Sequence, residues 1–142
     1  MLQQHFPKEA LNKGIELSTQ ACELGSTLSC HFMATLYLIG EHIQQDKLQA
    51  WHFAQKGCQL AHEPSCLIWI DLTLNHHNLQ ISNSKAITKA RQGAEFFCEK
   101  HPSIQSCTLL ERYYVYLMKT VPNQSLQAYE SETLHLKYAE KL

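Results

Sequence analysis

Apolar side chains recur along most of the chain at the three- and four-residue spacing that places them on one face of a helix. The pattern is complete around Leu110, Tyr113 and Leu117 and partial elsewhere. The alternation of Val, Ile and Thr that is typical of strands is absent. We therefore predict an all-α chain of about seven helices, at 7–24, 27–39, 46–61, 64–76, 84–101, 103–119 and 123–141.

Residues that favour helix ends stand between these segments. Gly25 and Gly40 are expected to end helices, because glycine adopts the left-handed backbone conformation without strain. Asp46, and either Asn83 or Ser84, are expected N-caps, since their short side chains can accept hydrogen bonds from the free N–H groups of a first turn.

The cysteines reveal a repeat. They form three pairs whose partners are eight or nine residues apart, and a serine precedes the second partner each time. The pairs are Cys22 with Cys30, Cys58 with Cys66, and Cys98 with Cys107. Successive pairs begin 36 and 40 residues apart, and a small residue stands eight positions before the first cysteine of each: Gly14, Ala50 and Ala90. A repeat of this length in a helical chain predicts stacked helix pairs.

The repeat extends over nearly the whole chain. We predict a single domain, 1–142, with units at about 8–25, 27–61, 64–101 and 103–141. The last unit is expected to be a cap, because 126–129 (Leu-Gln-Ala-Tyr) echoes 48–51 (Leu-Gln-Ala-Trp) but no cysteine follows eight residues after its alanine.

Each cysteine pair spans a predicted helix–turn–helix junction. Antiparallel helices packed about 8–10 Å apart can bring such residues within disulfide distance, so we predict one disulfide per repeat. Free cysteines buried in a helical core are the alternative. Zinc is a poor fit, because structural zinc sites use closely spaced C-x2–4-C clusters, which the sequence lacks.

Persistent disulfides need an oxidising compartment. We therefore expect a periplasmic or secreted protein, with the mitochondrial intermembrane space as an alternative. The segment 1–7 lacks the charged and apolar regions of a secretory signal. The chain is then either not exported or a mature form with an added start methionine, and the cysteines favour the mature form.

Composition and charge argue against several classes of function. The formal net charge is -1, which leaves no electrostatic footprint for DNA or RNA. No apolar run approaches the roughly 18 residues of a membrane span. No cofactor is expected, since phosphate loops and dinucleotide fingerprints are missing. No metal site is predicted, because most of the histidines are scattered, and the adjacent His76 and His77 would point in different directions on a helix.

Three segments carry a family resemblance. They are Ser-Cys-x-x-Met-Ala-x-Leu-Tyr-x-x-Gly at 29–40, Asp-x-x-Gln-Ala-Trp at 46–51 and Lys-Gly-Cys at 56–58. This unit resembles the Sel1-like repeat, and its cysteine-bearing form resembles the Helicobacter cysteine-rich proteins. The resemblance implies helix pairs closed by C-x7-C disulfides, stacked in a right-handed superhelix related to tetratricopeptide arrays. It also implies protein–protein scaffolding at the envelope or outside the cell, and some members are described as slow penicillin-binding or β-lactam-hydrolysing proteins.

The repeat also predicts where a partner binds. Stacked helix repeats present an extended concave surface. Met33, Leu36 and Tyr37 form the apolar stripe of one helix, so its opposite face holds positions 31, 35 and 39, with equivalents at 67, 71, 75, 108, 112 and 116. The candidate partner-binding residues at these positions are His31, Thr35, Ile39, Asp71, Asn75, Arg112 and Tyr116. An ordinary solvated face is the alternative.

A serine–lysine pair is the one sign of enzymatic chemistry. Ser82 and Lys85 match the Ser-x-x-Lys spacing in which lysine can activate serine, but no Lys-Thr-Gly or Ser-Asp-Asn accompanies them. We therefore expect a non-enzymatic adaptor that binds a protein or peptide. Weak β-lactamase-like or penicillin-binding activity and a purely structural spacer are the alternatives.

Overall fold

The computed structural model describes residues 7–79, 81, 83–100 and 104–120, and all regular structure in them is helical. The helices are α1 (Lys8–Glu23), α2 (Thr27–Ile39), α3 (Lys47–Gln59), α4 (Glu63–Asn75), α5 (Ser84–Glu99) and α6 (Ile104–Thr120), with a short 3-10 helix at His77–Leu79. The predicted all-α fold is confirmed for these residues. The helix predicted at 123–141 lies outside them.

The chain divides into two compact units, one ending at Ile68 and the other beginning at Trp69. In the first unit α2 packs against both α1 and α3, and in the second unit α5 packs against α6. Within each unit, these consecutive helices are therefore neighbours in space, as a helix-pair repeat requires. The single domain and the handedness of a superhelix stay predictions.

Small side chains let the helices of the first unit pack closely. Met33 of α2 and Ala50 and Ala54 of α3 have no exposed surface. Alanine at these positions allows the two helix backbones to approach. Tyr37 of α2 stacks on Phe53 of α3, with ring centroids 5.9 Å apart. The inward face predicted for α2 is thus confirmed.

The second unit has a comparable interior. Ala90 and Ala94 of α5 and Leu110 of α6 have no exposed surface, and Tyr114 of α6 is almost fully buried. The Tyr114 hydroxyl donates to Glu95 Oε1 at 3.4 Å. Burial, and then the nearby carboxylate, raise the pKa of Tyr114 well above its usual value, so its hydroxyl stays protonated and acts as a donor.

Helix α4 buries most of its apolar side chains, among them Leu67, Trp69, Ile70, Leu72 and Leu74. Asp71 and Asn75 of the same helix stay partly exposed. Helical spacing placed position 67 on the face of Asp71 and Asn75, but Leu67 is only 9% exposed and offers little surface to a partner.

The predicted N-caps are confirmed. The side chain of Asp46 accepts a hydrogen bond from the Gln49 N–H at 3.1 Å. Asn83 is the cap of α5, and it accepts from the Lys85 N–H at 2.9 Å. Each cap satisfies an N–H group that has no partner within its helix.

Equivalent turns end α1 and α3. The backbone adopts the left-handed conformation at Gly25 (φ 103°) and again at Ala61 (φ 64°), 36 residues later. In both turns the next N–H donates to the carbonyl five residues earlier, at 2.9 and 3.1 Å, which is the Schellman arrangement. Gly40 (φ 75°) ends α2. The predicted glycine stops are confirmed, and alanine occupies the equivalent position in one repeat.

Disulfides close the three helix–turn–helix junctions. The bonds are Cys22–Cys30, Cys58–Cys66 and Cys98–Cys107, with Cα–Cα distances of 4.7, 4.4 and 4.8 Å. All the cysteines lie in the described residues and none is free. The predicted local pairing is confirmed, and the alternative of free buried thiols is wrong.

The serine before the second cysteine of a pair also has a structural role. The Oγ atoms of Ser26 and Ser29 lie 2.9 Å apart at the start of α2. In the next repeat, His62 Nδ1 lies 2.9 Å from Ser65 Oγ. The serine therefore contacts the residue that begins its helix in both junctions, although that residue changes from serine to histidine.

Candidate partner-binding surface

Three of the predicted binding residues lie on α2, in the first unit. They are four residues apart and therefore share one helix face. His31 and Thr35 are partly exposed, and Ile39 exposes 53% of its surface. The ring of His31 contacts that of His62, with centroids 5.4 Å apart. This face is therefore partly accessible to solvent, and its role in binding stays a prediction.

The other four predicted residues converge in the second unit. Asp71 and Asn75 lie on α4, and Arg112 and Tyr116 on α6. Asn75 Nδ2 donates to Asp71 Oδ1 at 3.2 Å and to the Leu109 carbonyl at 3.1 Å. Asn75 therefore joins α4 to α6 and holds the Asp71 carboxylate in place.

The Asp71 carboxylate has two further neighbours. Its Oδ2 lies 3.2 Å from His76 Nε2, and its Oδ1 lies 4.0 Å from a terminal nitrogen of Arg112. The Arg112 side chain is 58% exposed, so this ion pair is largely solvated and contributes little to stability. Asp71, Asn75, His76 and Arg112 together are called the Asp71 cluster below.

An aromatic pair lies beside the Asp71 cluster. The rings of His77 and Tyr116 are stacked, with centroids 3.5 Å apart and planes 15° apart. Burial, and then the neighbouring His76, lower the pKa of His77 below its usual value. Because the neutral imidazole is favoured, the pair presents two uncharged rings, and Tyr116 keeps 37% of its surface exposed.

Two cavities share the His77–Tyr116 pair as part of their lining. The first is mostly apolar and has a volume of about 290 Å³. The second carries charged groups and has a volume of about 370 Å³. Besides the two rings, the first is lined by Ile87, Tyr113 and Leu117, and the second by Glu111, Arg112 and Lys119. Cavities of this size lie at the low end of ligand sites.

Two residues of this surface were missed by the helical-face argument. His76 and His77 lie beyond the end of α4, where the geometry of a helix face no longer applies. Thr108 also stood at a position of the predicted face. Its hydroxyl donates to the Ile104 carbonyl at 2.6 Å and is therefore bonded within its own helix. The histidine contacts depend on the turn after α4, which no spacing rule predicted.

The described part of the chain also bears on metal clusters, membrane-spanning helices and the Ser-x-x-Lys match. No group of three or more His, Cys, Asp or Glu side chains there could hold a metal ion. None of its helices is long and apolar enough to cross a membrane. Ser82 of the Ser-x-x-Lys match lies outside the described residues, and its neighbour Asn83 is the N-cap of α5. A β-lactam site there stays a prediction.

No protein-family model, curated protein or solved structure matches this chain. The structure shows a helical chain with repeat-like helix pairs and a disulfide at each of three junctions. Inferences about its partner therefore depend on its own residues.

Proposed function

We propose that this chain is a non-enzymatic adaptor of the Sel1-like, cysteine-rich type, and that it binds a protein or peptide partner in the periplasm or outside the cell. The repeat pattern supports the family, since helix pairs, left-handed turns and disulfides recur at equivalent positions. The disulfides support the compartment, because such bonds persist where thiols are not reduced.

The observation that carries the proposal is the surface formed by the Asp71 cluster and the His77–Tyr116 pair. Tyrosine and arginine are the residues over-represented at the energetic centres of protein interfaces, where they fill pockets on the partner or receive its side chains. Here an exposed guanidinium and an exposed phenol ring lie beside two cavities. The surface therefore offers a partner both a charged contact and an apolar contact.

The surface is held in place before any partner arrives. Asn75 ties α4 to α6 through the Leu109 carbonyl, and the Cys98–Cys107 disulfide joins α5 to α6. A preformed site loses less conformational entropy on binding than a flexible one. This rigidity favours a specific binding module over a purely structural spacer, which would need no such surface.

Affinity capture with matched variants tests the proposal. The oxidised wild-type protein and the double variant Arg112→Ala/Tyr116→Ala are each immobilised and offered native extract from the source organism. We expect a protein that is retained by the wild type and lost from the double variant. Truncating residues at an interface centre typically costs about 2 kcal/mol or more each, so the purified partner should bind the double variant at least about a hundredfold more weakly.

The control is Lys85→Ala/Lys89→Ala, which removes two exposed charges from α5 and leaves the surface unchanged. It should retain the partner as the wild type does. If the double variant and the control retain the same proteins in the same amounts, the surface on α4 and α6 is not the binding site. If the wild type retains no protein above an inert column, the adaptor proposal fails.

A further inference from the structure

His31 and His62 come together in the first unit although 30 residues separate them in the sequence. Their ring centroids are 5.4 Å apart and their planes are inclined by 67°. Both rings are partly exposed, so a small solute can reach them.

Close packing of two disulfide-bonded turns explains why the rings meet. A methyl group at Gly57 would lie 2.7 Å from Ser65 Cβ and 3.3 Å from Cys30 Cβ. The end of α3, just before the turn that carries His62, therefore packs on the start of α2, where His31 follows Cys30. His62 lies within the loop closed by the Cys58–Cys66 disulfide, and His31 directly follows Cys30 of the Cys22–Cys30 disulfide. The two bonds limit how far the histidines can separate.

Ser65 orients the His62 ring. Its hydroxyl is fully buried and lies 2.9 Å from His62 Nδ1. When Nδ1 carries the proton, it donates to Ser65 Oγ and leaves the lone pair of Nε2 available. Histidines that bind metals are commonly held this way, through a hydrogen bond from the ring nitrogen that does not coordinate.

We infer that His31 and His62 together bind a divalent transition-metal ion of the kind that accepts imidazole nitrogen, with water in its remaining coordination positions. A tetrahedral ion with bonds of about 2.0–2.1 Å to nitrogen places the centroids of two bound imidazoles about 5 Å apart. The observed 5.4 Å is close to that separation, and it also lies in the range of an ordinary edge-to-face ring contact. Two protein ligands leave positions open, so the ion is exchangeable and does not have the four protein ligands of a structural zinc site. This inference is independent of the proposed adaptor function.

Zn²⁺ is the probe, added to the oxidised protein. Binding is measured by calorimetry, and the ligands are identified by the ¹⁵N shifts of the histidine rings. We expect the ring nitrogens of His31 and His62 to shift together, with one Zn²⁺ bound at their site. Mg²⁺, which prefers oxygen ligands, should shift neither ring.

The repeat supplies variants that preserve the fold. His62→Ser introduces the residue found at the equivalent Ser26, and His31→Thr introduces the residue found at the equivalent Thr108. Each should weaken Zn²⁺ binding at this site by about tenfold or more, and the double variant should bind no better than either single variant. His52→Gln, at an exposed position on α3, is the control and should bind as the wild type does. Thermal unfolding of every variant verifies that it is folded.

Several results would overturn the inference. Zn²⁺ that shifts neither ring, or only one, excludes a shared ion. Unchanged affinity in folded His31→Thr or His62→Ser protein places the bound ion elsewhere.

Discussion

Gly57 and Ser65 lie in contact across the turn that joins α3 to α4, and no side chain larger than hydrogen fits between them. A Cβ atom added to Gly57 would lie 2.7 Å from Ser65 Cβ, and Ser65 itself is fully buried. Position 57 lies inside a helix, where glycine is normally unfavourable. Its glycine is therefore explained by packing and not by backbone conformation.

Gly57→Ala should destabilise the protein. Forcing a methyl group into a packed site costs about 1–3 kcal/mol, and alanine recovers at most about 1 kcal/mol of helix propensity. We expect the free energy of unfolding in urea to fall by about 1–2 kcal/mol. Gly14→Ala is the matched control, since Gly14 lies within α1 and has no atom within 4 Å of an added Cβ. It should stabilise by about 0.5–1 kcal/mol, and equal effects of the two substitutions would disprove the packing explanation.

Ala61→Gly should stabilise the protein. Ala61 has a left-handed backbone (φ 64°) at the position that glycine occupies in the preceding repeat, and that conformation costs an alanine about 1–2 kcal/mol. We expect a gain of about 1 kcal/mol in the free energy of unfolding, measured by urea or thermal unfolding. The reciprocal change, Gly25→Ala (φ 103°), should cause a loss. A destabilised Ala61→Gly protein would contradict this interpretation of the turn.

Removing one disulfide should cost measurable stability. Each bond closes a loop of about eight or nine residues, for which the chain-entropy model gives about 2.5 kcal/mol. The free energy of unfolding of Cys98→Ser/Cys107→Ser, measured in urea, should therefore be lower than that of the wild type by about 2.5 kcal/mol. Peptide mapping without reduction provides the reference, and it should find three local bonds in the wild type and two in the variant. Mixed pairings in the wild type would be incompatible with the fold.

Acidification should lower the free energy of unfolding, because it favours the protonation of His31. The pKa of this residue is lowered below 6.5 in the folded chain, first by burial and then by His62. The unfolded chain therefore binds the proton more readily, and the free energy of unfolding should be highest above pH 6.5 and fall as the pH drops below it. Urea unfolding between about pH 7.5 and about pH 5.5 measures the decrease. His31→Thr should show a smaller decrease, and an unchanged slope in that variant would assign the effect to other groups.

Much of the secondary structure could be predicted from the sequence, because it depends on groups that are close along the chain. Asp46 and Asn83 cap helices through N–H groups two or three residues away. Gly25 and Gly40 end helices through their own backbone freedom. The disulfides followed from cysteines that recur at the two ends of one short turn, so their pairing needed no knowledge of the rest of the fold.

The candidate sites were only partly predictable. Spacing placed Asp71 and Asn75 on one face of α4, and Arg112 and Tyr116 on one face of α6, and the structure brings the four together. Spacing did not place His77 against Tyr116, since the turn after α4 follows no periodic rule.

By itself, the sequence determined where the helices lie, how they begin and end, and which cysteines pair, because each of these is decided within a few residues. The tertiary structure alone decided that Leu67 is buried, that the carboxylate of Asp71 lies beside Arg112, and that His31 faces His62. Such contacts depend on the distances and angles between elements that are far apart in the sequence. These distances result from many packing contacts acting together, among them the close approach of Gly57 to Ser65. A local sequence pattern therefore cannot predict them.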